Sequence, residues 1–186
     1  PEEVMLCGCL LPYDGDAFFY GSLTEPMSCI VGGFHANYHG KPGVYEHTMG
    51  CKPRGNMAIL AGAGPMGLGC ADYAIHGGNP PKLLVITDID EARLARAAQL
   101  TTVADAAANG VKLVYMNTNA VGDPVEAIRA LTDGEGFDDV FVYAPVKPVV
   151  EMGDALLARD GCLNFVAGPT TPQFSAMVNF YNVHYG

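Results

Sequence analysis

The sequence predicts a Rossmann-like α/β fold, a doubly wound six-stranded parallel sheet, and three observations predict it. Short apolar runs alternate with stretches of helical length. The runs are nearly continuous in apolar character instead of alternating with polar residues, as expected of strands covered on both faces. One run ends in a glycine-rich turn, G-A-G-P-M-G at residues 62–67, that opens a helical stretch.

Residues 1–50 do not follow this rhythm; 1–22 are expected to be a remnant of a preceding domain or linker, with a dinucleotide-binding domain over 23–186. Residues 23–39 read as a helix that starts near Pro26, a residue suited to a first helical position. His35 and His39, four apart, would then share a helix face, with packing or interface roles. The first strand is expected at 56–61, followed by a helix at 65–76 and a second strand at 82–87. Asp90 can cap a helix at 91–100, and a third strand follows at 111–116. A helix at 123–132 is broken by D-G-E-G before a fourth strand at 139–144. A helix at 148–158 leads to a fifth strand at 162–167, and V-N-F-Y-N-V-H-Y at 178–185 reads as a sixth. Right-handed crossovers between parallel strands give the expected order 3-2-1-4-5-6.

A net charge of -10 argues against a nucleic-acid partner. No apolar run reaches the roughly 18 residues of a membrane span, and the first residues lack the pattern of a signal peptide. The chain begins at Pro1 without a methionine, which suggests a piece of something longer. Cys7, Cys9, Cys29, Cys51, Cys70 and Cys162 form no C-x-x-C pair. Cys51, Cys70 and Cys162 sit in or beside apolar segments and read as buried thiols, so a reduced, cytoplasmic setting is expected.

The glycine turn carries the functional expectation. Gly62 permits a tight turn, Gly64 the close approach of a pyrophosphate, and Gly67 close packing of helix on strand. Pro65 and Met66 between them are compatible with a first helical turn. Free N–H groups at the helix start would hold the phosphates. Asp88, 21 residues after Gly67, is placed to accept hydrogen bonds from ribose hydroxyls and to repel a 2′-phosphate. NAD is therefore expected over NADP, with Arg93 on a solvated helix face and Arg54 at the surface. The alternative class is a non-catalytic module that senses NAD(H) or mediates interactions.

Several stretches extend this beyond the fingerprint: T-E-P-M-S-C (24–29), A-I-L-A-G-A-G-P-M-G-L-G (58–69), T-D-I-D-E-A-R-L-A-R-A (87–97), D-G-E-G-F-D-D-V-F-V-Y-A (133–144) and L-L-A-R-D-G-C-L-N-F-V-A-G (156–168). Together they resemble the cofactor domain of the zinc-type medium-chain alcohol and polyol dehydrogenases. H-T-M-G-C-K-P-R-G-N and the terminal stretch are most similar to the sorbose-1-phosphate reductase branch.

The resemblance implies a secondary alcohol or ketose as substrate (a polyol or sugar phosphate), with hydride passing to or from NAD. It implies that zinc belongs to the full-length enzyme, with its main ligands on a catalytic domain outside this chain. The fragment alone is then not competent for turnover. It makes Glu25 the candidate metal-site residue here, a capping acid being the other role open to it. It also places Ala144 and Gly168, at the ends of their stretches, beside the cofactor. Finally, it implies a homodimer in which residues 178–185 pair as an edge strand across a two-fold axis.

Overall fold

A computed structural model describes residues 2–8, 15–16, 18–41 and 43–185. Among the described residues three helices come first: α1 (Glu2–Leu6), α2 (Phe18–Ser22) and α3 (Thr24–Ala36). A hairpin of β1 (Tyr38–Lys41) and β2 (Val44–Met49) follows. The alternating unit then runs β3 (Asn56–Leu60), α4 (Pro65–His76), β4 (Leu83–Asp88), α5 (Glu91–Leu100), α6 (Val103–Ala108), β5 (Lys112–Asn117), α7 (Pro124–Arg129), β6 (Phe137–Val142), α8 (Lys147–Leu156) and β7 (Leu157–Phe165). A short helix, α9 (Phe180–Tyr185), closes the described chain.

The parallel sheet has five strands in the order β5-β4-β3-β6-β7. It is the expected topology up to its fifth strand. Every residue of β3, β4 and β6 is buried, which is why these strands read as unbroken apolar runs. Successive side chains still divide between two faces. Met57 and Ile59 meet Cys70, Ala74 and Ile75 of α4 and Ile30 and Phe34 of α3. Ala58 and Leu60 meet Ile128 of α7 and Val150 and Leu156 of α8. Asp90 caps α5, its Oδ1 accepting from the N–H groups of Ala92 (2.9 Å) and Arg93 (3.1 Å). The D-G-E-G break is made by Asp133, Gly134 and Gly136, all at positive φ.

Three sequence expectations are corrected. Residues 178–185 do not form a sixth strand: Phe180–Tyr185 is α9, with Asn179 Oδ1 accepting from the N–H of Tyr181 at 3.1 Å. Its β-branched and aromatic composition suits a strand, but among the described residues no neighbouring strand receives it, and a local helix forms instead. Edge pairing into a homodimer loses its basis with that strand. The helix read over 23–39 ends at Ala36, so His39 lies in β1 and shares no helix face with His35. A two-stranded hairpin and the short α6 also form, in stretches without a strong period to which the sequence reading assigns no element. Cys9 lies outside the described residues.

The N-terminal part is joined to the sheet by buried polar contacts. Asp139, at 1% exposure, accepts from Asn37 Nδ2 (2.7 Å) and His39 Nε2 (3.0 Å) at Oδ1, and from the Lys52 N–H (2.9 Å) at Oδ2. Its neighbour Asp138 accepts from Lys52 Nζ (2.5 Å) and the Asn56 N–H (2.8 Å). Asn37 Oδ1 in turn accepts from Asn164 of β7 at 3.0 Å. Among the described residues, no buried side-chain nitrogen or oxygen lacks a partner.

Removing one buried partner orphans the others, which typically costs about 3–5 kcal/mol when a charge is involved. Asp139→Ala is therefore expected to lower unfolding free energy by about that amount, measured by urea denaturation. Asp139→Asn, which keeps one acceptor oxygen, is expected to fall between the variant and the unmodified chain.

Candidate dinucleotide-binding site

The site begins at the sheet's topological switch point, where β3 pairs with β4 on one side and β6 on the other. The order in which strands are added reverses there, and a crevice opens beyond the carboxyl ends of the strands. Ala61 leaves β3 with a positive φ of 52°, and Gly62 follows, its N–H bonded to the Thr87 carbonyl at 2.8 Å.

The three fingerprint glycines have different steric surroundings. A Cβ at Gly62 would lie 2.5 Å from Ile59 Cγ2 and 2.9 Å from the Ile59 carbonyl oxygen. A Cβ at Gly67 would collide with the backbone of Gly62, so α4 rests directly on the turn. A Cβ at Gly64 would meet nothing within 4 Å. Two of these glycines are thus required by the protein's own packing, and the third faces open space. Gly64 is also the N-cap of α4, with φ -86° and ψ 175°, and no side chain caps the helix. The N–H groups of the first turn are the unsatisfied donors that attract an anion. Pro65 stands in that first turn, and Met66 is half-buried against the core behind it.

A cleft of about 770 Å³ spreads from this point. Gly64, Gly67, Thr87, Asp88, Tyr143 and Ala144 line its sheet side, and Val149 and Met152 of α8 line the other. Of the sequence candidates, Gly64, Gly67, Asp88 and Ala144 meet here. Gly62, buried, Met66, half-buried, and Pro65, exposed, do not line the cleft, and Gly168 lies in exposed chain after β7, outside it.

Asp88, at 6% exposure, is the last residue of β4. Its Oδ1 accepts from the N–H groups of Ile89 (2.8 Å) and Asp90 (3.1 Å), and its Oδ2 from Ala63 N–H (3.3 Å). The carboxylate therefore ties the end of β4 to the glycine turn. An ionised carboxylate offers about four lone-pair directions, so these contacts leave room for a further donor on the cleft side.

Arg93, expected on a solvated face, lines the cleft; its side chain stays exposed, with Nε 3.7 Å from Asp90 Oδ2. Arg54, by contrast, is remote from the cleft lining and donates to the Gly110 carbonyl at 2.8 Å. Thr118, Asn119 and Tyr143 also line the cleft and were not singled out from sequence. The signal that could have found them is position: each follows or ends a parallel strand at its carboxyl end. Burial pushes the Tyr143 phenol well above its usual range, so it stays neutral.

Glu25 lies in the first turn of α3, where its carboxylate accepts from the Cys29 thiol at 3.4 Å. That contact is the leading cause that holds the Cys29 thiol above its ordinary range. Among the described residues, no three His, Cys, Asp or Glu side chains are grouped to hold a metal ion. No helix among them is long and apolar enough to cross a membrane.

Comparison with known proteins agrees with this geometry. Mannitol-1-phosphate 5-dehydrogenase of Aliivibrio fischeri is 55% identical over 185 residues, covering 100% of this chain and 44% of that protein. L-sorbose 1-phosphate reductase of Klebsiella pneumoniae is 45% identical over the same span, again 100% of this chain and 44% of the relative. The chain thus spans less than half the length of these curated relatives. Among solved structures, a Sinorhizobium meliloti protein assigned to the zinc-binding dehydrogenases and bound to NADP superposes with a TM-score of 0.66 at 18% identity, over 89% of this chain and 41% of that one. The family profile described as zinc-binding dehydrogenase matches residues 65–185. The chain belongs to the zinc-binding dehydrogenase family.

Proposed function

We propose that this chain is the NAD(H)-binding part of a dehydrogenase that interconverts a secondary alcohol and a ketose, with a polyol or sugar phosphate as substrate. The observation that carries the cofactor assignment is Gly64: an uncapped helix start whose missing side chain leaves open space at the head of a cleft. In this assignment the pyrophosphate sits against the first turn of α4, where N–H groups and the positive end of the helix dipole converge. Asp88 accepts from a ribose hydroxyl at the β4 end. Bound NAD would supply the hydride chemistry, while the chain's own residues bind and orient it. The substrate assignment rests on the names of the sugar-phosphate relatives.

Zinc fits less well with the residues present. Glu25 is the one candidate, and its carboxylate is engaged by Cys29. No grouped donor set accompanies it among the described residues.

Asp88 and Arg93 favour different cofactors, since Arg93 could face a 2′-phosphate from the same cleft. Asp88 is the nearly buried one, held in place by three N–H donors, whereas Arg93 is exposed and loosely paired. Like charges at 4 Å repel by about 1 kcal/mol even in water. NADH is therefore expected to bind at least about fivefold more tightly than NADPH. Asp88→Asn, which keeps an acceptor for the backbone, should narrow that gap. Fluorescence titration of both cofactors measures it. Equal affinities in the unmodified chain would remove Asp88 from this role, and binding of neither would overturn the dinucleotide assignment itself.

The two kinds of glycine separate folding from binding. Gly64→Val is expected to cost about 1 kcal/mol or less, as for a poor N-cap residue, and to abolish NADH binding. Gly67→Ala is expected to destabilise by about 1–3 kcal/mol, as overpacking does. Thermal melts paired with NADH titration check both, and a folded Gly64→Val that binds NADH normally would place the phosphates elsewhere.

A further inference from the structure

His39 has an acceptor at each ring nitrogen. Nε2 lies 3.0 Å from Asp139 Oδ1 on β6, and Nδ1 lies 3.1 Å from the Asp160 carbonyl oxygen on β7. A carbonyl oxygen only accepts, and the carboxylate already accepts from Asn37 and Lys52. Both contacts are hydrogen bonds only when both nitrogens carry protons, that is, when the ring is an imidazolium.

Asp160 is shaped for this role. It holds a positive φ of 59°, an uncommon and costly backbone region for a residue other than glycine. In that conformation its carbonyl takes the His39 ring, and its Oδ2 accepts from the Gly40 N–H at 2.7 Å. Two neighbouring residues of β1 are thus held by one strained residue of β7.

Asn37 ties the start of the hairpin to Asp139 and Asn164, and within β1 the side chain that reaches the sheet is His39. Every residue of β2 is exposed, and a two-stranded hairpin is at best marginal in water. We propose that the His39 imidazolium is a pH-operated latch that fastens the β1–β2 hairpin to the edge of the parallel sheet. Loss of one proton turns one of the two hydrogen bonds into a lone pair facing an acceptor, and the hairpin is released.

The groups bonded to His39 are Asp139 of β6 and Asp160 of β7, and the titratable groups around those two carboxylates are Asp138 of β6, Cys162 of β7, and Cys51 and Lys52 from the turn before β3. Burial raises both thiols, which therefore stay neutral near neutrality. Asp138 holds Lys52 above its ordinary range, so the ammonium stays charged. His39 is left as the group that changes charge. The hydrogen bond to Asp139 raises it above the usual histidine value, with burial opposing. A raised folded value means that the stabilisation is complete below the unfolded pKa of about 6.5 and is lost as pH rises through the folded value.

The test follows His39 in the unmodified 186-residue chain by nitrogen-15 NMR, together with amide hydrogen exchange corrected for intrinsic rates. The expected result is a His39 midpoint above about 6.5, with β1–β2 protection lost as pH rises from there through the midpoint. That loss should reach about tenfold for each pH unit by which the midpoint exceeds the ordinary histidine value. Protection in β3, β4 and β6 is expected to hold. In His39→Gln, hairpin protection should be low and flat with pH. A His39 midpoint at or below about 6.5, or hairpin protection that ignores the His39 titration, would overturn the latch. Both readouts come from the unmodified chain, so the test stands even where the variant fails to fold.

Discussion

The approach of α4 onto the turn that precedes it is the constraint on which the rest of the structure depends. A side chain at Gly67 would occupy the backbone of Gly62, and a side chain at Gly62 would occupy Ile59. Without both glycines the helix could not sit this close to the end of β3, and its first turn would not border the cleft. Asp88 fixes the same turn from the other side by accepting from Ala63 N–H. The glycines set how near the helix comes, and the carboxylate sets where the turn lies between β3 and β4. Gly64 then needs no packing reason of its own, which is why its open surroundings point to a ligand.

The two faces of the sheet share the work unequally. On one face α3 joins α4 through Ile30 and Phe34, which rest on Ile59, Ile75 and Phe141. The ring of Phe34 stacks on Phe141 with centroids 4.9 Å apart and meets Tyr73 edge-on. The other face is covered by α7 and α8, with Ile128, Val150 and Leu156 as their buried contributions, and by Phe174 and Ala176 from the chain after β7. The cleft borders this second face, so its far wall includes α8, whose Val149 and Met152 are half-buried. A dinucleotide in the cleft would therefore contact strand ends on one side and apolar side chains of two helices, Val125 of α7 and Val149 and Met152 of α8, on the other.

The sequence disclosed what repeats and concealed what is paired at long range. Strands β3, β4 and β6 were legible because burial on both faces leaves an unbroken apolar run, and the helices at 65–76 and 91–100 because they carry periodicity and boundary residues. The glycine turn and Asp88 were legible because their spacing follows from the path of a phosphate chain over a helix start. Residues 178–185 misled because strand-forming composition says nothing about whether a neighbouring strand is available. Asn179 instead offers its side chain to the N–H groups of Tyr181 and Asn182, and a local turn takes precedence over a distant pairing.

The polar joint around Asp139 was illegible for a different reason. Asn37, His39, Lys52, Asn56 and Asn164 carry no common motif, and their partners Asp138 and Asp139 stand about a hundred residues from the first of them. D-D-V could as easily have been read as a solvated strand start. Its meaning depends on register: β6 must pair with β3 so that Met57 faces Asp139, which brings Lys52 and Asn56 beside the two carboxylates. Only then does the hairpin have a seat, and only then does a charged histidine find acceptors on both sides. Whereas apolar periodicity fixes the sheet, these hydrogen bonds fix how the N-terminal part attaches to it, and α3, with Glu25 at its start, is positioned through the same joint.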